Sequence, residues 1–184
     1  DGVSSRDPEG DHVEELDRRR SAAIGAARIF GASTPRFLDL PDNRLDSVAL
    51  LTLVRAVEEE VERIRPSTVY THHAGDLNVD HRWTHEAVMT ACRPVATSPV
   101  ETVLCFESPS STEWRSAAAA PAFNPTWFVD VGDTFETKLA ALSAYEEELR
   151  PWPHPRSLEA IEHLARWRGA TIGSTAAEAF VLAR

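Results

Sequence analysis

Apolar residues recur along this chain at two periods, and the alternation between them predicts an α/β protein. From His12 to Phe30, the residues Ala22, Ala23, Ala26, Ala27 and Phe30 fall three and four apart, the spacing of one helical face. Gly31 stands where a helix commonly ends in a left-handed residue. Ser47 is a good N-cap for a second helix, with Val48, Leu51, Val54, Val57, Val61 and Ile64 as its buried stripe and Pro66 beyond its end. Further helices are predicted from His81 to Cys92, from Thr134 to Leu149 with Leu139, Leu142 and Tyr145 inward, and from an N-cap at Ser157 to about Arg168. Short β-rich runs between them predict strands at Arg36 to Leu40, Thr68 to His72, Thr102 to Phe106, Trp127 to Val131 and Ala179 to Leu182. Glu107 to Asn124 has no period and reads as a long loop.

Strands separated by helical crossovers imply a largely parallel sheet with helices on both faces. In such sheets ligands bind beyond the carboxyl ends of the strands. That points to Gly2 to Arg6, Asp42 to Asp46, His72 to His81 and Glu107 to Trp114. A chain of 20.3 kDa exposes roughly 8,800 Å² folded against about 29,000 Å² unfolded, enough burial for one domain with a real core. The net charge of −10 argues against a general nucleic-acid binder, which needs a basic surface. No apolar run reaches the roughly 18 residues of a membrane span, and no charged-then-apolar leader opens the chain. Cys92 and Cys105 cannot build a disulfide framework and form no C-x-x-C pair, so a cytoplasmic setting is expected and a cysteine-based zinc site is not. No G-x-G-x-x-G follows any strand, which weakens a nucleotide-binding oxidoreductase reading.

The densest chemistry is His72-His73-Ala74-Gly75-Asp76-Leu77-Asn78-Val79-Asp80-His81, with His85 four residues on. These are metal-ligand types on a strand exit and a helix start, and His81 and His85 at i, i+4 can share one helical face. The spacing equally admits a packed His85 and a capping His81.

The run THHAGDLNVDHRWTHEAVMTACRP, Thr71 to Pro94, resembles the signature of the PIG-L/LmbE-like zinc N-deacetylases. DGVSSR, LPDNRLD, FVDV and PHPRSLEAIEHLARWRG resemble further family segments in family order, so the likeness covers essentially the whole chain. It implies a Rossmann-like three-layer α/β fold and hydrolysis of the N-acetyl group of an N-acetylglucosamine-type sugar conjugate. It also implies zinc, with His81 as one ligand and Asp80 orienting the site from behind it. The family's H-P-D-D-E motif, which would bring two more zinc ligands and the general base, occurs nowhere in these residues. The expectation is a single domain shortened at its N-terminus, without the first strand and inactive by itself. Asn78 stands where many relatives carry an assisting His, so the catalytic proton donor is expected at His154 or His72, and Asn78 is expected to bind substrate with Arg6 and Arg156. Asp42 and Asp46 read as turn and cap groups. The Ala- and Arg-rich composition suits a GC-rich bacterium. Expected partners are a small amino-sugar conjugate, with no nucleic acid and no membrane span, and assembly of copies is left open. The alternative is a carbohydrate- or nucleotide-sugar-binding module that kept the fold without the metal.

Overall fold

The computed structural model describes residues 12–116 and 118–184. The described elements are α1 (Val13–Phe30), α2 (Leu50–Ile64), β1 (Thr68–His72), α3 (Val79–Ala91), β2 (Thr102–Phe106), β3 (Trp127–Asp130), α4 (Phe135–Ser143), α5 (Leu158–Ile172) and β4 (Ala177–Leu182), with 3-10 turns at Leu45–Ser47 and Gly132–Thr134. They form two compact units. One comprises the described part of Asp1–Asp42 with Val129–Glu178, the other Asn43–Phe128 with Ala179–Arg184.

In the first unit α1 ends as expected at Gly31, whose φ of 69° only glycine adopts freely and whose N–H bonds back to Ala27 and Arg28. Phe135 of α4, Ala165 of α5 and Ala176 form a core with Val131 and Leu139. Ser157 caps α5 by accepting the Ala160 N–H at 3.0 Å. Arg36 to Leu40 does not form the expected strand. A lone strand is not stable without a partner to bond, and here Asp39 turns to a left-handed φ of 52° and pairs with Arg20, whose guanidinium also covers Phe37. The helix expected to reach Leu149 stops at Ser143 and continues as turns.

In the second unit Val88, Cys92, Val100 and Val103 form the core, backed by Val57, Val61, Val69 and Met89. α2 starts later than its N-cap signal suggests. Ser47 donates to the Arg44 carbonyl inside the preceding 3-10 turn, and the helix opens after Ala49 without a side-chain cap. Of the expected stripe Val54 is buried and Val57 and Val61 pack against the core, Leu53 joins them, and Leu51 and Ile64 are more than half exposed.

The sheet order is β1-β2-β4-β3. β1 and β2 are parallel, with Thr68 opposite Thr102 and His72 opposite Phe106, and α3 is the crossover between them. β4 is antiparallel to β2, with Leu104 opposite Leu182 and Phe106 opposite Phe180. The sheet is mixed, not mostly parallel. A single crossover helix returns the chain to the end where the first strand began and yields parallel neighbours. Two successive helices, α4 and α5, precede β4 and free it from that rule.

Candidate active site

The site grows from the exit of β1. His72 is the last residue of that strand, a tight loop follows, and α3 begins at Val79. The loop is drawn in at Gly75, where a Cβ would lie 2.2 Å from the Pro121 carbonyl oxygen and 2.9 Å from the His73 ring. His73 Nδ1 accepts the Gly75 N–H at 3.1 Å, and its ring meets Phe123 edge-on at 5.3 Å. Burial lowers the His73 pKa.

Asp76 is fully buried, at 0% exposure. Its Oδ1 accepts the Asn78 N–H at 2.9 Å and the Ser111 hydroxyl, and its Oδ2 accepts the Thr112 hydroxyl at 2.7 Å. Oδ1 also lies 3.0 Å from His81 Nδ1, close but off-line for a straight hydrogen bond. Burial alone would push this carboxyl up. The contacts from His81, Ser111, Thr112 and the Asn78 amide outweigh it and hold Asp76 well below the usual carboxylate range.

Two more histidines complete this neighbourhood. The His72 and His81 rings stack at 4.0 Å with 19° between their planes, and His72 also leans on Phe106 at 4.8 Å. Burial, joined by the His81 and His85 rings, lowers the His72 pKa to about 4 despite an opposing pull from Asp76. His72 is therefore a neutral imidazole near pH 7. Its Nδ1 is buried without a partner. His85 Nδ1 lies 2.9 Å from the His72 carbonyl, which can only accept, so His85 carries its proton there. Cys105 Sγ is 3.7 Å from the same nitrogen, and burial pushes that thiol up to about 11.

The expected site residues divide sharply. His72, Asn78, Asp80 and His81 fall in one neighbourhood. Asn78 caps α3 by accepting the Asp80 N–H at 2.8 Å. The Asp80 carboxylate is engaged elsewhere: Oδ1 accepts the Leu45 N–H at 2.9 Å and Oδ2 the Asn43 N–H. Asp80 thus anchors the 43–45 loop to the start of α3, and Asp76 lies beside His81 Nδ1, the place that the family resemblance implies for Asp80. Arg6 lies outside the described residues. His154 and Arg156 belong to the other unit. There His154 Nδ1 accepts the Arg156 N–H at 3.0 Å, and Arg156 pairs with Glu148 at 2.7 Å. The Pro-flanked loop is pinned by further bonds from His154 N–H to Pro151 and from Ser157 N–H to His154. The sequence placed Asp76 among the metal-ligand types of the motif and Ser111 and Thr112 in the Glu107 to Trp114 segment, but did not pair them. The Asp-x-Asn spacing hints at the Asp76–Asn78 turn, but nothing local links Asp76 to hydroxyls 35 and 36 residues away.

Zinc requires three or more protein donors in one place. His81 suits one such role, since a carboxylate behind a ring nitrogen is how metal-binding histidines are usually oriented. Among the described residues, however, no group of three or more His, Cys, Asp or Glu could hold a metal ion. They do not by themselves make a zinc site.

A family model described as PIG-L, GlcNAc-PI de-N-acetylase, matches residues 1–92. No curated protein sequence matches the chain. Among solved structures, the conserved protein TT1542 from Thermus thermophilus is similar with a TM-score of 0.74 and 21% identity, over 98% of this chain and 77% of that one. GalB, the 4-carboxy-2-hydroxymuconate hydratase from Pseudomonas putida, gives 0.71 and 20% over 98% and 77%. The N,N'-diacetylchitobiose deacetylase from Pyrococcus horikoshii gives 0.71 and 16% over 96% and 67%. At these identities the likeness to the three structures is one of fold.

Proposed function

The chain belongs to the GlcNAc-PI de-N-acetylase (PIG-L) family, and from that premise we propose that the protein hydrolyses the N-acetyl group of an N-acetylglucosamine-type sugar conjugate. The observation that carries this reading is the His81 environment. Its Nδ1 meets the buried Asp76 carboxylate, its face rests on a neutral His72, and the ring keeps 24% of its surface open. A ring held on two sides with its far nitrogen available can accept a proton or bind a cation at a fixed point. The deacetylase among the similar folds acts on an N-acetylated sugar by its name, which supports the same substrate class.

In this reading His154 is the proton donor to the leaving amine, and Arg6, Arg156 and Asn78 bind the substrate. Zinc remains part of the proposal only with donors additional to the described residues, His81 supplying one of the set. No helix among the described residues is long and apolar enough to cross a membrane.

Free-amine release from a panel of N-acetyl sugars, with zinc content measured on the same samples, tests the reading. His81→Ala is expected to abolish release and zinc together. A His81→Ala protein that keeps both would overturn the assignment. His85→Ala is expected to lower stability, because it takes the Nδ1–H away from the His72 carbonyl, and to leave metal content unchanged, because this reading gives the ligand role to His81.

A further inference from the structure

Asp76 is a fully buried carboxylate, and four contacts on its two oxygens specify its orientation. Ser111 and Thr112, both buried, approach it from the long segment after β2. Both ends of that attachment are secured. Thr112 Oγ1 also accepts the Ser108 N–H at 2.7 Å, and Glu113 accepts the Ser110 N–H and, at 3.3 Å, the Ser111 N–H. The Leu77 N–H bonds to the Ser111 carbonyl at 3.4 Å. Two distant pieces of chain thus close around one carboxylate, and the carboxylate faces one imidazole nitrogen.

The chemistry of that contact is directional. An ionised carboxylate is only an acceptor, so the nitrogen facing it is the one that carries a proton. A neutral imidazole has one N–H, and fixing it at Nδ1 leaves the lone pair at Nε2. The stacked His72 ring restrains the plane of His81, and Asp76 restrains its rotation within that plane.

We propose that Asp76 is a positioning residue: held by Ser111 and Thr112, it fixes His81 as the Nδ1–H tautomer with the Nε2 lone pair facing the site. The catalytic meaning of that tautomer rests on the deacetylase reading above, but its first readout does not require activity. Buried carboxylates without hydrogen-bond partners are expensive. Here the Asn78 N–H, Ser111 and Thr112 satisfy Asp76 and hold its Oδ1 3.0 Å from the His81 ring, so the network ties the 108–112 turn to the state of His81.

Nitrogen-15 NMR of the side-chain imidazoles, recorded above the imidazole titration range, reads the tautomer directly. In the unmodified protein His81 is expected to show a protonated Nδ1 and a bare Nε2, and the opposite assignment would overturn the proposal without any mutant. Asp76→Asn is expected to preserve this tautomer. The amide oxygen can face His81, Ser111 and the Asn78 N–H, while its NH₂ donates to Thr112, whose hydroxyl can reverse. Asp76→Leu is expected to release His81 to a mixture of both forms, and an unchanged tautomer there would also overturn it. If Asp76→Leu does not fold, Ser111→Ala combined with Thr112→Val replaces it, with the same expectation of a mixed population. In the active protein the Leu variant is expected to lose about 10- to 100-fold in activity or metal affinity, with the Asn variant closer to wild type. A correct tautomer in a protein that releases no amine from any N-acetyl sugar would reject the function and keep the positioning role.

Discussion

His72 loses its charge because the fold gives it nowhere to put one. Its pKa of about 4 lies below the ordinary 6.5, chiefly because it is buried. Between those values the unfolded chain binds a proton that the folded chain refuses, so stability falls as pH drops through that window. The full penalty is about 3 kcal/mol once pH is below 4. The lowered pKa of His73 acts in the same direction, and Asp76 continues the trend below the ordinary carboxyl pKa, where the unfolded chain takes up a proton first. Denaturation at pH 7 and near pH 4.5 is therefore expected to show a marked acid loss, with His72→Phe removing a large part of it. Identical pH slopes in the two proteins would contradict the assigned cause. The same neutrality bears on catalysis, because a histidine uncharged near pH 7 cannot serve there as an imidazolium acid.

At the scale of elements, the loop from β1 to α3 is set by close approach more than by turn propensity. Gly75→Ala would drive a methyl into the Pro121 carbonyl, against backbone that cannot simply rotate away. The expected cost is about 1–3 kcal/mol in denaturant unfolding, typical of overpacking. A Gly75→Ala protein as stable as wild type would show that the 121 segment yields freely. Asp80 works on the other side of the same loop, at the start of α3. Its removal in Asp80→Ala strands the N–H groups of Asn43 and Leu45, and about 1–2 kcal/mol of lost stability is expected. The capping by Asn78 explains why an amide is well placed at this position whatever a histidine would do there.

At the scale of the whole molecule, His81 and His154 belong to different units, so a shared reaction can be tested only on the entire protein. His154→Ala is expected to lower kcat by roughly 10²-fold with zinc content retained, and to flatten one limb of the pH–rate profile. Wild-type kcat with an unchanged profile would return His154 to a structural role in the Pro151–Ser157 turn. The bonds within this turn hold His154 in place inside its own unit.

Much of this protein was legible along the chain because its signals are local. Helix α1 with Gly31 behind it, α5 behind Ser157, and strands β1 and β2 follow from spacing and caps that act over a few residues. The motif around His81 identified the family for the same reason: its residues are contiguous. The direction of β4, the exposure of Leu51 and Ile64 on α2 and the missing strand at 36–40 were decided elsewhere, because each depends on which distant segment supplies a hydrogen-bonding edge or an apolar face. The role of Asp76 belongs to the second class. Asp76 stands in plain view in the motif, yet only folding brings Ser111 and Thr112 across 35 residues of chain to make it a buried, oriented carboxylate.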